Sequence, residues 1–309
     1  MNELDVFQSL WAMELRRPDG FEWTTEEQFQ KIADAGFAGV GFDAGLPGDP
    51  YESLSDYVEL CNRFDLDVSI NAFPRTQEDL AAAIRQAEMF KGRCRFISII
   101  GRVVPWDVNE VANVTRAWLK QGEEAGIPIF IEGHRACMTN DLLFTLQLMD
   151  AVPELMMTAD LSHFMVNQEW VYLPLEKQEQ ALVSRYLQRS ETFQGRVASA
   201  EQIQIQPEFP QHEKWFELFK SWWAEGFDYW QARHAGTDDR CVFMCELGPP
   251  PYAITGSDGY ELSDRWDEAL LLKATAEKIW AELSPPSRQV CRDDLRARNV
   301  SKTKYRSGP

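Results

Sequence analysis

The feature that most restricts the fold of this chain is a regular alternation. A short β-branched or aromatic run is followed by a longer stretch with helical spacing, and the pair recurs eight times. Strand-like runs fall at 6–13, 37–43, 67–73, 96–103, the start of PIFIEGHR (128–135), 155–160, 192–198 and 241–246. Helix-like stretches follow at 26–35, 52–64, 76–90, 108–125, 141–151, 175–188, 212–232 and 264–283. Eight strand-then-helix units predict an α/β protein folded as a single closed (β/α)8 barrel, the TIM-barrel architecture. The rival, an open doubly wound sheet, wants a glycine-rich phosphate turn after its first strand. The sequence has none, so no nucleotide cofactor is expected. Residues 1–283 make one catalytic barrel domain in this reading. Residues 284–309 form a proline-broken, locally basic extension that wraps the surface or is mobile.

Composition narrows the partners. Of 309 residues, 44% are hydrophobic, enough for a full core, and the formal net charge is -18. A nucleic-acid backbone or an anionic membrane needs a basic face, so neither is expected as the main partner. No leader with a basic stretch before an apolar core opens the chain, and no apolar run is long enough to span a bilayer. The six cysteines (Cys61, Cys94, Cys137, Cys241, Cys245, Cys291) form no C-x-x-C pair and read as free thiols of a cytoplasmic protein. Cys241 and Cys245 are four apart on a strand and share one face within the core, which disfavours a zinc knuckle.

In a barrel, chemistry gathers at the carboxyl ends of the strands. Strand five ends in Glu132, then His134 and Arg135. Strand six ends in Asp160, then His163. Strand seven carries Gln194 and Arg196, two apart and so on one face. Strand eight ends in Glu246, before GPPPY. Two Glu, one Asp and one Gln thus meet at one rim. Carboxylates packed so closely need a cation or bound protons to coexist. Oxygen-rich ligands favour Mg²⁺ or Mn²⁺ over a thiolate-type zinc site. Each piece also has a plain structural use: Asp160 can cap a turn, His134 can be a structural histidine, and GPPPY can be a rigid turn.

The stretches IFIEGHR, TADLSH and CELGPPPY resemble the metal-binding strand ends of the xylose-isomerase-like TIM barrels. That group includes sugar isomerases and epimerases and the endonuclease IV type. The resemblance spans roughly 6–283. It implies that Glu132, Asp160 and Glu246 bind one divalent ion, Mn²⁺ or Mg²⁺. It implies that Glu132 and Glu246 are paired acid/base catalysts, and that His163 and Arg196 hold substrate oxygens, with Arg135 beside them. The family's fourth ligand is usually a histidine, and here Gln194 stands in its place. A glutamine can ligate through its carbonyl oxygen but cannot take up a proton.

The expected activity is metal-dependent proton abstraction next to a carbonyl on a sugar or sugar derivative. The altered ligand set also fits a branch that forms the large subunit of C-glycoside deglycosidases. Those cleave a 3-keto C-glycoside by elimination, with a small β-rich partner subunit, and His134 would be a candidate base. A third reading is a decayed, non-catalytic barrel that binds sugar or serves as a scaffold. The endonuclease reading fails on four histidines and an acidic balance. An oligomer and an unphosphorylated carbohydrate are expected, since no basic phosphate cradle is legible. The stretch EKWFELFKSWWAEGFDYWQARH puts Phe216, Phe219, Trp223 and Trp230 on one helical stripe, with Trp215 and Trp222 on an adjoining face. One stripe covers the barrel. The second is either further core or a subunit interface or pocket wall.

Overall fold

The computed structural model describes residues 2–44, 54–90, 92–104 and 107–283. Eight strands close in chain order into one parallel barrel. They are β1 (Glu3–Ser9), β2 (Gly39–Ala44), β3 (Asp67–Ala72), β4 (Cys94–Ile99), β5 (Ile129–Glu132), β6 (Met157–Ala159), β7 (Ser190–Gly195) and β8 (Arg240–Cys245). β1 pairs with β8 through six residues, Glu3 opposite Arg240 to Gln8 opposite Cys245, which seals the ring. The TIM-barrel expectation holds. The predicted extension at 284–309 lies outside the described residues.

Nine helices occur among the described residues. They are α1 (Thr25–Asp34), α2 (Leu54–Phe64), α3 (Gln77–Glu88), α4 (Val108–Ala125), α5 (Leu142–Ala151), α6 (Leu161–Asn167), α7 (Lys177–Leu187), α8 (Glu213–Arg233) and α9 (Arg265–Glu282). Their starts are set locally. Thr24 and Glu27 form a capping box on α1, Thr76 and Asp79 another on α3, and Asp141 and Asp264 cap α5 and α9. The short α6 has no counterpart in the sequence reading, because seven residues are too few for a periodic signal.

Strand side chains alternate between the helix layer and the barrel axis. On β8, Phe243 packs against Trp223 of α8 and Cys245 Sγ donates to Ala269 of α9, while Val242 and Met244 turn inward to meet Phe7 and Phe96. Cys241 and Cys245 therefore share the helix-facing side, fully buried, as the four-residue spacing predicts. Inside, Met244 reaches across to β2. A Cβ on Gly41 would lie 2.1 Å from Met244 Sδ, so only glycine leaves the room this methionine fills. Below it, Asp5 of β1 accepts from Arg95 of β4 at 2.9 Å and from Arg240 of β8 at 2.7 Å.

The aromatic helix is core on both faces. Trp222 donates to Gln180 of α7 and stacks edge-on with Trp170, while Trp223 meets Phe243 of the barrel and Trp230 meets Trp280 of α9. Trp215, Phe219, Trp222, Trp223 and Trp230 are all buried within the chain. The second stripe thus faces neighbouring helices rather than a partner or the substrate.

At the amino-terminal mouth, His234 stacks on Trp230 at 4.0 Å and lies between Glu191 at 2.5 Å and Asp239 at 2.8 Å. The Glu191 hydrogen bond raises His234 above its ordinary value of 6.5. A raised folded value means the contribution is complete below 6.5 and fades as pH rises through the folded value. His234→Gln is expected to cost about 1 kcal/mol near pH 5.5, since the pair is partly solvated. Urea unfolding at several pH values checks this: the gap to wild type narrows as pH rises.

Candidate active site

The strand ends deliver the expected side chains to one place. Glu132 closes β5, Asp160 follows β6, Gln194 lies within β7 with Arg196 just beyond it, and Glu246 follows β8. Carboxylate oxygens of Glu132, Asp160 and Glu246 lie within 4.8 Å of one another, and Glu132, His134 and His163 form a second such group. Glu132, Asp160, His163, Gln194, Arg196 and Glu246 are buried, while His134 and Arg135 are half-buried. Gly133 makes the turn between Glu132 and His134. A Cβ there would lie 2.6 Å from the Tyr186 hydroxyl, which donates to Thr158 O at 2.9 Å. No larger residue fits so close to that bond.

Arg196 organises the charges. It donates from Nη1 to Asp160 Oδ2 at 2.6 Å, from Nη2 to Glu246 Oε2 at 3.0 Å and from Nε to Glu246 O at 2.9 Å. Burial alone would raise the Asp160 carboxyl, but Arg196 and His163 hold it well below the usual carboxylate range. Burial pushes Glu246 up to about 8 against the pull of Arg196. Burial, reinforced by Glu246 and Asp160, pushes Glu132 well above its ordinary range. Asp160 is thus held as the anion, while burial favours the protonated form of the two glutamates. Asp160 Oδ1 also accepts from Ser162 N at 2.9 Å and caps α6, so its structural and chemical uses coexist.

The two histidine rings lie against each other, tilted by 40°, with centroids 3.8 Å apart. His134 Nδ1 lies 2.6 Å from Arg135 O, which assigns the proton to Nδ1 and leaves Nε2 with a free lone pair. Burial and the adjacent His163 lower His134 well below its ordinary value, so it is neutral. Burial likewise lowers His163, although Asp160 opposes it. Trp11 and Tyr252 meet edge-to-face at 5.0 Å above Arg196, whose guanidinium carbon lies 5.2 Å from the Tyr252 ring centroid.

Neither a protein-family model nor a curated protein matches this chain. Solved structures do. D-allulose 3-epimerase from Methylomonas sp., in complex with D-allulose, aligns over 90% of this chain and 98% of its own at TM-score 0.57 and 13% identity. A xylose isomerase-like TIM barrel protein from Mycobacterium smegmatis, in complex with magnesium, aligns over 91% and 100% at TM-score 0.57 and 11% identity. The 3-keto-D-glucoside 4-epimerase YcjR from E. coli aligns over 89% and 100% at TM-score 0.50 and 13% identity. The chain has the xylose-isomerase-like TIM-barrel fold.

The donors in this xylose-isomerase-like barrel fit a hard divalent cation. Glu132 Oε1 and Gln194 Oε1 are buried without a hydrogen-bond partner among the described residues, and Glu132 belongs to the carboxylate cluster. Gln194 Nε2 is spent on Glu132 Oε2 at 3.5 Å, which leaves its carbonyl oxygen as the coordinating end. Three ionised carboxylates against one guanidinium leave two negative charges, the complement of one such ion.

Sequence reasoning missed three inner-face residues on other strands. Asn71 of β3 donates to Glu246 Oε1 at 3.2 Å and to Asp43 of β2 at 3.2 Å. Ser98 of β4 donates to Glu132 Oε2 at 3.2 Å. The available signal was a polar residue near the end of an apolar run, in SINAF, GVGFD and FISII. Burial favours protons on both glutamates, so a cation must compete with protons for them. Mn²⁺ affinity is therefore expected to rise with pH up to about 8, with protons released on binding. Calorimetry in buffers of different ionisation enthalpy measures both; pH-independent binding with no proton release would be the contrary result.

Proposed function

We propose that this chain is a divalent-metal-dependent isomerase or epimerase that moves a proton next to the carbonyl of a sugar or sugar derivative. The observation that carries this reading is the pair of buried glutamates, Glu132 and Glu246, whose carboxylate oxygens lie within 4.8 Å of one another and of Asp160, itself ion-paired to Arg196. Glu132, Asp160, Glu246 and the Gln194 carbonyl oxygen would hold the ion. When bound, Mn²⁺ or Mg²⁺ supplies Lewis-acid polarisation of adjacent substrate oxygens.

The chain's own groups do the rest. One glutamate takes the proton from the carbon next to the carbonyl and the other returns one, from the opposite face for epimerisation. The fit to the task lies in the setting: both carboxylates are buried, so each binds a proton more tightly than a solvated carboxylate, and an ion held between them would draw that affinity back down. Asn71 and Ser98 orient the two carboxylates through the bonds described above. Arg196 keeps Asp160 ionised, and His163, 3.4 Å from Asp160, presents a ring nitrogen to substrate hydroxyls. Trp11 and Tyr252 give the pocket an apolar wall against which a sugar ring can lie.

A second reading rests on His134. Its unprotonated Nε2 is a base separate from the glutamates, which suits elimination from a 3-keto C-glycoside. The non-catalytic reading has less support, since the buried acids, Arg196 and their bonding partners are all retained.

Two measurements separate these readings. In D2O with Mn²⁺, a ketohexose or aldohexose substrate is expected to gain deuterium next to its carbonyl. Glu132→Gln and Glu246→Gln should each slow this by about 10²-fold or more. Undiminished exchange in both variants would sink the reading. His134→Gln should leave isomerase exchange largely intact, whereas an eliminase would lose release of the aglycone from a 3-keto C-glycoside.

A further inference from the structure

Arg135 stands apart from the other arginines around the barrel. Arg95 and Arg240 hold Asp5, Arg196 holds Asp160 and Glu246, and Arg265 holds Glu261. Arg135 has no ion pair and no side-chain hydrogen bond among the described residues. Its guanidinium carbon lies 5.2 Å from the Tyr252 ring centroid, on the ring that also meets Arg196. It is half-buried and sits one residue beyond His134, so it faces the mouth of the site. Five N–H donors in a fixed planar fork are thus held in place by stacking alone.

The adjoining rim is cationic too. Arg102, on the loop after β4, donates to Ala136 O at 3.1 Å and has no carboxylate partner among the described residues. With Arg75, Cys137 and Asn140 it lines a cavity of about 550 Å³. The chain carries 49 acidic residues against 31 Lys and Arg. Arg102 and Arg135, on two successive loops of one rim, have no carboxylate partner among the described residues, which runs against that balance.

We infer that Arg135 receives an oxyanion of the substrate, so that the ligand class is a sugar acid rather than a neutral sugar. This rests on the carbohydrate reading above and names the end of the substrate away from the reacting carbons. A carboxylate suits the site better than a phosphate. One planar guanidinium binds a carboxylate through two parallel bonds. Phosphate sites draw on free helix N-termini, and the two nearest are occupied: Asp141 caps α5 through Phe144 N at 2.8 Å, and Asp160 caps α6. The Tyr252 ring lies against the Arg135 guanidinium, and Arg102 adds positive charge on the neighbouring loop.

The test is calorimetric titration of the full chain, with and without Mn²⁺, using D-fructose, D-fructuronate and fructose phosphate. Wild type is expected to bind D-fructuronate about tenfold or more tighter than D-fructose, with added salt weakening the acid only. Arg135→Gln should close that gap, and Arg135→Lys, which keeps the charge and loses the fork, should close it in part. Equal affinities in wild type, or a preference that survives in Arg135→Gln, overturn the proposal. A stronger preference for fructose phosphate overturns the sugar-acid class. Arg135-dependent preference for the acid without deuterium exchange would uphold the anion site while sinking the isomerase reading.

Discussion

The site depends on one buried cation. Arg196 is almost wholly removed from water, a position no guanidinium holds without matched anions. Its three bonds join residues that follow β6 and β8 to a residue that follows β7. It therefore fixes the mutual positions of three strand ends and the charge state of the acids between them. Asp160 is ionised because Arg196 is there. Burial favours protons on the glutamates. Had the guanidinium been absent, three buried acids would compete for protons with nothing to rank them.

The ranking bears on the choice of glutamine at 194. A histidine in that place would bring a second basic nitrogen to the cluster and a softer donor to a cation. An amide brings an oxygen that never titrates, while its nitrogen is committed to Glu132. In the proposed function proton traffic is thereby confined to the glutamates and to His134, whose ring centroid lies 3.8 Å from that of His163.

Much of this was legible in the sequence, for a physical reason. Strands of a barrel alternate inward and outward, so a polar residue that ends an apolar run must point either at the axis or into a loop, and four adjacent runs ended the same way. Strand limits were less legible. The runs at 6–13, 96–103 and 192–198 overshoot β1, β4 and β7, because apolar residues beyond the last ladder bond, such as Leu10, Ile100, Val197 and Ala198, are also buried. Asn71 and Ser98 were missed because an isolated polar residue in a run carries no mark of the height at which it sits in the barrel. The second aromatic face of α8 was ambiguous because periodicity gives the direction of a ring around its helix but not what stands opposite. Arg135 was read as a substrate contact, but only the bonding of the other arginines singles it out.

The residue packed into the space left by Gly41 has a further meaning. Met244, Phe7, Phe96 and Val242 fill the axis beneath the polar layer, and the Asp5–Arg95–Arg240 network lies under them. The site is a blind well with a hydrophobic floor. Among the described residues the axis is closed below the polar layer, so in the proposed function substrate and product would use the opening at the carboxyl end of the barrel, beside Trp11, Tyr252 and Arg135. Whatever occupies that opening sets the order of events, since a product still held there bars the next substrate from entering.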